Sequence, residues 1–336
     1  MYGNYEAWEV KIEDFPESSS IVEQLRFLLR FAVLAPSSHN SQPWSFKIEG
    51  NSIFVFPEKS RRLPESDKND RQLYISLGCA IENILVAADY YGFQTSVEYL
   101  LPNDCATKIT LTRMKEEKKE NHLIFSIPLR VNNRNQYDEK LLDPLFIEKL
   151  KSFETDDQKI SVVLDKKEMN DIADVVLDAG VAAMDDPNFR LELSHYVKPN
   201  TTRSKVGMPG FGLGIPTPVS FIVPTLLKWV NVNRLSRKQD EALLKQHTPA
   251  FVLISTKQDT SLDWMKAGQA FESIALEAQR SGLKTAVWAA PIQIGEFYKK
   301  LQGVLKIDFR PQVFFRLGYT NKVTRHSPRM MDRNVI

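Results

Sequence analysis

Two stretches of this 336-residue chain repeat one another without a gap. Gly78, Ala80, Glu82, Ile84 and Ala88 recur as Gly268, Ala270, Glu272, Ile274 and Ala278, a constant offset of 190. The match continues downstream, where Gly92, Thr95 and Val97 recur as Gly282, Thr285 and Val287. Each copy reads as a long helix rich in small residues, closed by a glycine cap and followed directly by a strand. Self-similarity across helix, cap and strand points to a duplicated fold. Small side chains let helix backbones approach closely, so the two repeat helices are candidates for packing against each other at the heart of the molecule.

The duplication divides the chain into a first half, 20–113, and a second half, 128–336. The charged linker between them, 114–127, is built on Lys115-Glu116-Glu117-Lys118-Lys119-Glu120, with nothing apolar to bury. Periodicity predicts a helix at 21–34, strands at 44–49 and 52–56, the first repeat helix at 67–91, and strands at 94–101 and 107–113. In the second half it predicts a strand at 158–164, helices near 167–183 and 186–195, and a strand at 249–256. The second repeat helix follows at 262–281, then a strand at 284–289, a short helix at 294–302 and a strand at 310–318. Helices mixed with hairpin-like strand pairs indicate an α+β layered fold rather than a pure βαβ series.

Composition narrows the function less than the fold. Hydrophobic residues make up 43% and charged residues 26%, ordinary values for a globular chain. A net charge of +2 gives no reason to expect nucleic acid or an anionic membrane as partner. Cys79 and Cys105 form no metal or CxxC pattern, which fits a reducing compartment, and Cys79 reads as a small core residue. The first six residues lack the basic start and apolar run of a signal peptide, so the expected location is cytoplasmic. The longest apolar stretch, Val219 to Val230, is interrupted by Pro224 and Lys228 and is too short to span a bilayer. It could lie in an interface or cover a pocket.

Two polar segments stand out as chemistry. Ala35-Pro36-Ser37-Ser38-His39-Asn40-Ser41-Gln42-Pro43-Trp44 sits between a helix end and a strand start, with two prolines bracketing small polar residues. Such an ordered turn suits a polar cofactor; ordinary surface-turn chemistry is the alternative. Arg130-Val131-Asn132-Asn133-Arg134 puts two guanidinium forks four residues apart, able to grip one phosphate, or else forms an exposed basic turn. A third cation, Arg329, follows Pro328 near the C-terminus. Other motifs fail. Ser38 and His39 have no GxSxG elbow, the glycines of 207–214 follow no predicted strand, and the five histidines give no metal spacing. Glu82 and Glu272 occupy equivalent repeat positions and read as polar groups satisfied within a packed helix pair, with paired acid–base catalysis as the rival.

Taken together, these residues resemble the FMN-dependent nitroreductases, and the two-repeat length resembles their fused Acg-like subgroup. The resemblance rests on Ala35 to Trp44, Arg130 to Arg134, the Gly282-Leu283-Lys284-Thr285 turn and Pro328-Arg329, with Arg62-Leu63-Pro64, Asp67 and Arg71 in support. It implies central helices flanked by mainly antiparallel sheets, the family's dimer here becoming an intrachain pseudo-dimer. It also implies that Arg130 and Arg134 hold the FMN phosphate, that Arg329 adds charge there, and that Asn132 hydrogen-bonds the flavin ring. Ser37, Ser38 and Asn40 would contact flavin and ribityl chain from the other half. Val287, Trp288, Ala289 and Ala290 would run beside the isoalloxazine, a backbone N–H facing N5.

The repeat adds to this. The serine–asparagine turn occurs only in the first half and the arginine motif only in the second, so one FMN per chain is expected, in a monomer. The implied activity is ping-pong hydride transfer from NAD(P)H through flavin to an electron-poor acceptor such as a nitroaromatic or a quinone. The alternative is an FMN-binding storage, sequestering or sensing protein with little turnover. Residues 195–247, dense in glycine and proline, have no counterpart in the first half and form either a lid over the flavin or a cover for a sheet face.

Overall fold

The computed structural model describes residues 3–114, 122–322 and 324–331. After two short 3₁₀ turns comes helix α1 (Ile21–Ala32), whose Ser20 side chain accepts from the Glu23 N–H as N-cap and whose Leu25, Leu28 and Ala32 are fully buried. Strands β1 (Trp44–Glu49) and β2 (Ser52–Pro57), helix α2 (Arg71–Tyr90) and strands β3 (Phe93–Tyr99) and β4 (Thr107–Arg113) complete the first half. A 3₁₀ helix, His122–Leu129, follows, and its Ile124 and Ile127 are buried in the core. The charged run 115–120 of the expected linker lies outside the described residues.

The second half begins with α3 (Pro144–Lys151) and β5 (Gln158–Val163). Then comes a helical insertion: α4 (Lys166–Asp185), α5 (Pro187–Tyr196), the paired two-residue strands β6 (Val197–Lys198) and β7 (Met208–Pro209), α6 (Thr217–Ser220), α7 (Val223–Leu227) and α8 (Val232–Lys245). The repeat resumes with β8 (Ala250–Thr256), α9 (Ser261–Arg280), β9 (Leu283–Val287), α10 (Ala290–Gln293), α11 (Phe297–Leu305) and β10 (Arg310–Tyr319).

The duplication is visible in the backbone. One sheet has the order β1-β2-β4-β3 and the other β5-β8-β10-β9, with antiparallel neighbours throughout. Matching β1 to β5, β2 to β8, β4 to β10 and β3 to β9 superposes the two orders. Helices α2 and α9 each hold 20 residues and lie against each other at the centre. Their crossing is reciprocal: a Cβ on Gly78 would overlap the Met265 carbonyl, and a Cβ on Gly268 would overlap the Ile75 carbonyl. Both contacts obey the same 190-residue offset, so the helix pair carries an approximate twofold axis. Only glycine allows backbones this close. By length and composition α2 could cross a membrane, but it is largely buried here as a core helix.

The periodic reading located the repeat elements to within a few residues. It did not find α3 or α8, and the strand expected over 284–289 ends at Val287, where the chain turns into α10.

Candidate functional site

The turn after α1 is held in strained backbone. His39, Asn40 and Gln42 have φ of 49°, 54° and 53°, left-handed values uncommon outside glycine. Ser37 Oγ accepts the Gln42 N–H at 2.9 Å, closing the turn on itself. The strain aims two amide side chains inward. Asn40 Nδ2 donates to the carbonyls of Gly207 and Pro328, both at 2.9 Å, and Gln42 Nε2 donates to Lys205 O at 2.7 Å. Gln42 Oε1 accepts from the Met330 N–H at 2.9 Å. The turn thus clamps the 204–207 segment of the insertion and the C-terminal tail, two contacts no local sequence signal could show.

The cations expected to meet a phosphate are placed as follows. Arg329 is buried; its Nη1 donates to Asn40 Oδ1, and its Nη2 donates to Ala35 O at 3.2 Å. Arg130 is also buried, with Nη2 donating to Leu34 O at 3.3 Å and Nε 3.1 Å from Glu272 Oε1. That ion pair is off the hydrogen-bond direction, so Arg130 Nε and both Glu272 oxygens are left without a hydrogen bond. Arg134 is exposed, and its charge reaches His39. Arg130 and Arg329 therefore come together with the serine–asparagine turn; Arg134, accessible to solvent yet with its pKa lowered by burial, lies close enough to act on His39 of that turn. Arg130 is not part of an exposed basic turn: Arg130 and Arg329 are both buried and both have internal partners.

Burial governs the electrostatics. It pushes Glu272 up to about 7 despite the opposing Arg130 charge. It pushes Arg329 down to about 9, helped by repulsion from Arg130. His39 falls to about 4 through burial and the nearby Arg134; His326, stacked on Trp8 at 3.9 Å, falls to about 4 through burial, Arg329 and Arg130. The equivalent carboxylate Glu82 is also raised by burial, yet it accepts from Ser273 Oγ and from Gln269 Nε2 at 3.4 Å. Glu82 is a satisfied polar group of the helix pair, as expected; Glu272 has only the misaligned Arg130 charge and the nearby Asn83 amide to meet it. Repeat position had marked Glu272, but nothing in the sequence showed Arg130 to be its partner.

On the second half, Asn132 bridges to Thr285, and its Oδ1 accepts the Val287 N–H at 2.8 Å. The Trp288 N–H goes to Phe314 O at 3.0 Å. These bonds fasten the arginine segment to the end of β9 and use two N–H groups of the Val287–Ala290 segment. Ala289 and Ala290 begin α10 and retain first-turn N–H groups. A recess of about 360 Å³ lined by Gln136, Tyr137, His247 and Lys322 opens next to the arginine segment and does not include the turn.

The donor set of these segments partly suits an anionic group such as FMN. Buried polar atoms without a hydrogen bond include His39 Nδ1, Trp288 Nε1, Arg130 Nε and Arg329 Nε, all donors or potential donors from the segments the sequence singled out. Glu272 Oε1 lies 3.1 Å from Arg130 Nε, so Arg130 would have to exchange Glu272 for a phosphate.

No family model matches the chain. A Mycobacterium tuberculosis protein named "Putative NAD(P)H nitroreductase" is 24% identical over 310 residues, 91% of this chain and 86% of that protein. An uncharacterized protein of the same organism is 24% identical over 313 residues, covering 87% and 86%. The M. tuberculosis protein named "Putative NAD(P)H nitroreductase acg" is 30% identical over 90 residues, 26% of this chain and 27% of that one. Similar solved structures include a nitroreductase with bound FMN from Bacteroides fragilis (11% identity, TM-score 0.40, covering 64% of this chain and 98% of that one). An iodotyrosine deiodinase bound to FMN and 3-iodo-L-tyrosine is also similar (13%, TM-score 0.40, 62% and 95%). Over most of its length the chain is thus similar to a protein named as a putative NAD(P)H nitroreductase, and over 90 residues to the one named acg.

Proposed function

We propose that the chain binds one FMN and works as an NAD(P)H-dependent oxidoreductase toward an electron-poor small molecule such as a nitroaromatic or a quinone. When bound, FMN supplies the hydride-accepting and hydride-donating centre. The residues of this chain bind and orient it. Arg130 and Arg329 supply buried positive charge for the phosphate and Arg134 a further cation; Ser37, Ser38 and Asn40 form the facing wall. Asn132, whose Oδ1 is committed to Val287, has its Nδ2 to offer the ring. Because the Val287 and Trp288 N–H groups are used, a backbone N–H offered to the flavin from this segment would have to come from Ala289 or Ala290. The observation that carries this reading is the meeting of Arg130, Arg329 and Asn40, far apart in sequence, around buried donors that lack partners. With one such turn and one arginine motif, the stoichiometry is one per chain, and the fused halves act as a cytoplasmic monomer.

A second reading, storage or sensing with little turnover, is favoured by the strap over the turn. Asn4 Nδ2 donates to Thr202 O and Ser204 O at 3.1 Å each, adding to the Asn40 and Gln42 bonds that hold 204–207 in place. A visible spectrum, a flavin count and anaerobic mixing with NADH or NADPH separate the readings. A yellow protein with one FMN, bleached by a pyridine nucleotide, is the expected result. Yellow protein bleached by neither favours storage, and a colourless protein that takes up no FMN overturns both.

A further inference from the structure

The insertion carries a feature that the flavin reading does not use. From Thr217 to Trp229 the backbone is almost continuously helical, through α6, α7 and the bonds Ile222 N–H to Val219 O, Leu226 N–H to Ile222 O and Trp229 N–H to Leu226 O. Ser220 and Leu227 are buried on its inner face, where Val223 and Leu227 pack with Met184 and Val197. Val219, Ile222, Leu226 and Trp229, spaced three, four and three apart, form the opposite face. They are 47%, 64%, 39% and 80% exposed. A helix apolar on both sides is normally covered on both, and among the described residues nothing covers this side.

Charge selects what covers it. Between Val197 and Gln239 stand seven basic residues and no acidic one, in a chain that balances 44 Lys and Arg against 42 Asp and Glu. Arg234 and Arg237 are paired with Asp185 and Asp178 of α4, whereas Lys228, beside Trp229, and Lys238 are exposed. A second copy of this chain seated face to face would bring like charges together. An outward apolar helix about 20 Å long, with tryptophan at its end, a lysine beside it and a basic insertion around it, suits the surface of an anionic bilayer. Its length is too short to cross one.

We propose that the helical segment Thr217–Trp229 docks this protein on anionic lipid membranes, inserting Val219, Ile222, Leu226 and Trp229 among the acyl chains while Lys228 and Lys238 meet the headgroups. The net charge of +2 concealed this, because acidic residues elsewhere cancel the basic insertion in the sum. In sequence, Val219 to Val230 reads as an apolar stretch that could lie in an interface.

The test is flotation of the full-length protein with vesicles of phosphatidylglycerol and phosphatidylcholine, against vesicles of phosphatidylcholine alone. The expected result is binding to the anionic vesicles, weakened by salt, with a blue-shifted emission that disappears in Trp229→Phe. Ile222→Glu and Trp229→Glu alter exposed positions; each should lower the partition coefficient by at least about tenfold with the melting temperature unchanged. The double change Lys228→Glu and Lys238→Glu should weaken binding to anionic vesicles while leaving the weak binding to neutral ones. No partition into anionic vesicles, or partition indifferent to Ile222→Glu and Trp229→Glu, overturns the proposal. So does a dimer in solution that Ile222→Glu returns to monomer, which would assign the face to a second copy.

Discussion

In the first half, β3 and β4 alternate between buried and more exposed residues, so one face of their sheet meets solvent. In the second half every residue of β8 is buried, because the outer face of that sheet is covered. Met169, Ile172 and Val176 of α4, Ile292 of α10 and Leu301 of α11 pack with Phe251, Leu253 and Phe314 of the sheet. Strand order is shared while the surroundings differ. The pair α2 and α9 keeps the symmetry to the level of single carbonyl contacts, whereas the turn, the arginine segment, the strap and the tail each occur once. The contrast separates two kinds of constraint. Packing two helices at backbone distance asks the same of both copies, and a site needs only one set of ligands.

The largest effect should come from the symmetric part. Gly78→Ala and Gly268→Ala each drive a methyl group into a carbonyl and should destabilise the chain by about 3–5 kcal/mol in denaturant unfolding. The two losses should be similar; a large inequality would show that the pair is not equivalent in energy.

Glu272 and Glu82 sharpen the comparison through pH. Glu272 has its folded-state value raised to about 7, above that of an unfolded glutamate, so the native state keeps a proton that the unfolded chain releases. Stability from this group is full below about pH 4.5 and is lost as pH rises through about 7, on the order of 3 kcal/mol in all. Half-buried His39 and His326, lowered to about 4, act in the opposite sense as pH rises toward about 6.5. They cancel when wild type is compared with Glu272→Gln. Unfolding at pH 5 and pH 8 should therefore show a steeper loss for the wild type than for Glu272→Gln. Equal losses would remove Glu272 from the account.

Arg130→Ala should weaken FMN binding by about 1.5–3 kcal/mol if Arg130 makes a charged phosphate bond. Flavin fluorescence titration at pH 6 suits this measurement, because Glu272 then largely holds its proton and the deletion leaves little buried charge alone. Unchanged affinity would leave Arg130 as the partner of Glu272 alone. The smallest effect belongs to the strap. Asn40→Ala removes the bonds to Gly207, Pro328 and Arg329, and should cost about 1–3 kcal/mol locally. Hydrogen exchange at 204–207 should quicken while exchange in α2 stays as it was, and uniform quickening would mean that the strap and core open together.

The repeat made the core legible, since a pattern written twice fixes both the elements and their mutual contact. Amphipathic spacing alone did not reveal α8, which lies in a region read for its glycine and proline, although Asn231 caps it through the Arg234 N–H. The candidate site was legible as a set of residues and not as a set of bonds. Asn40 and Gly207 are 167 positions apart, and a small polar residue carries no periodic signal of a partner at that distance. The same holds for Arg130, whose guanidinium reads equally well in sequence as a phosphate ligand or as a counter-charge for Glu272.

The glycine crossing of α2 and α9 also limits how anything lodged between the halves can come and go. Backbones already in contact offer no gap to widen by small steps, and parting them would open the main hydrophobic core. Traffic is left to the periphery, through release of the 202–207 strap or the tail that Asn40 and Gln42 hold. Residence time at such a site would then follow a few amide hydrogen bonds at its edge, largely independent of how stable the fold is at its centre.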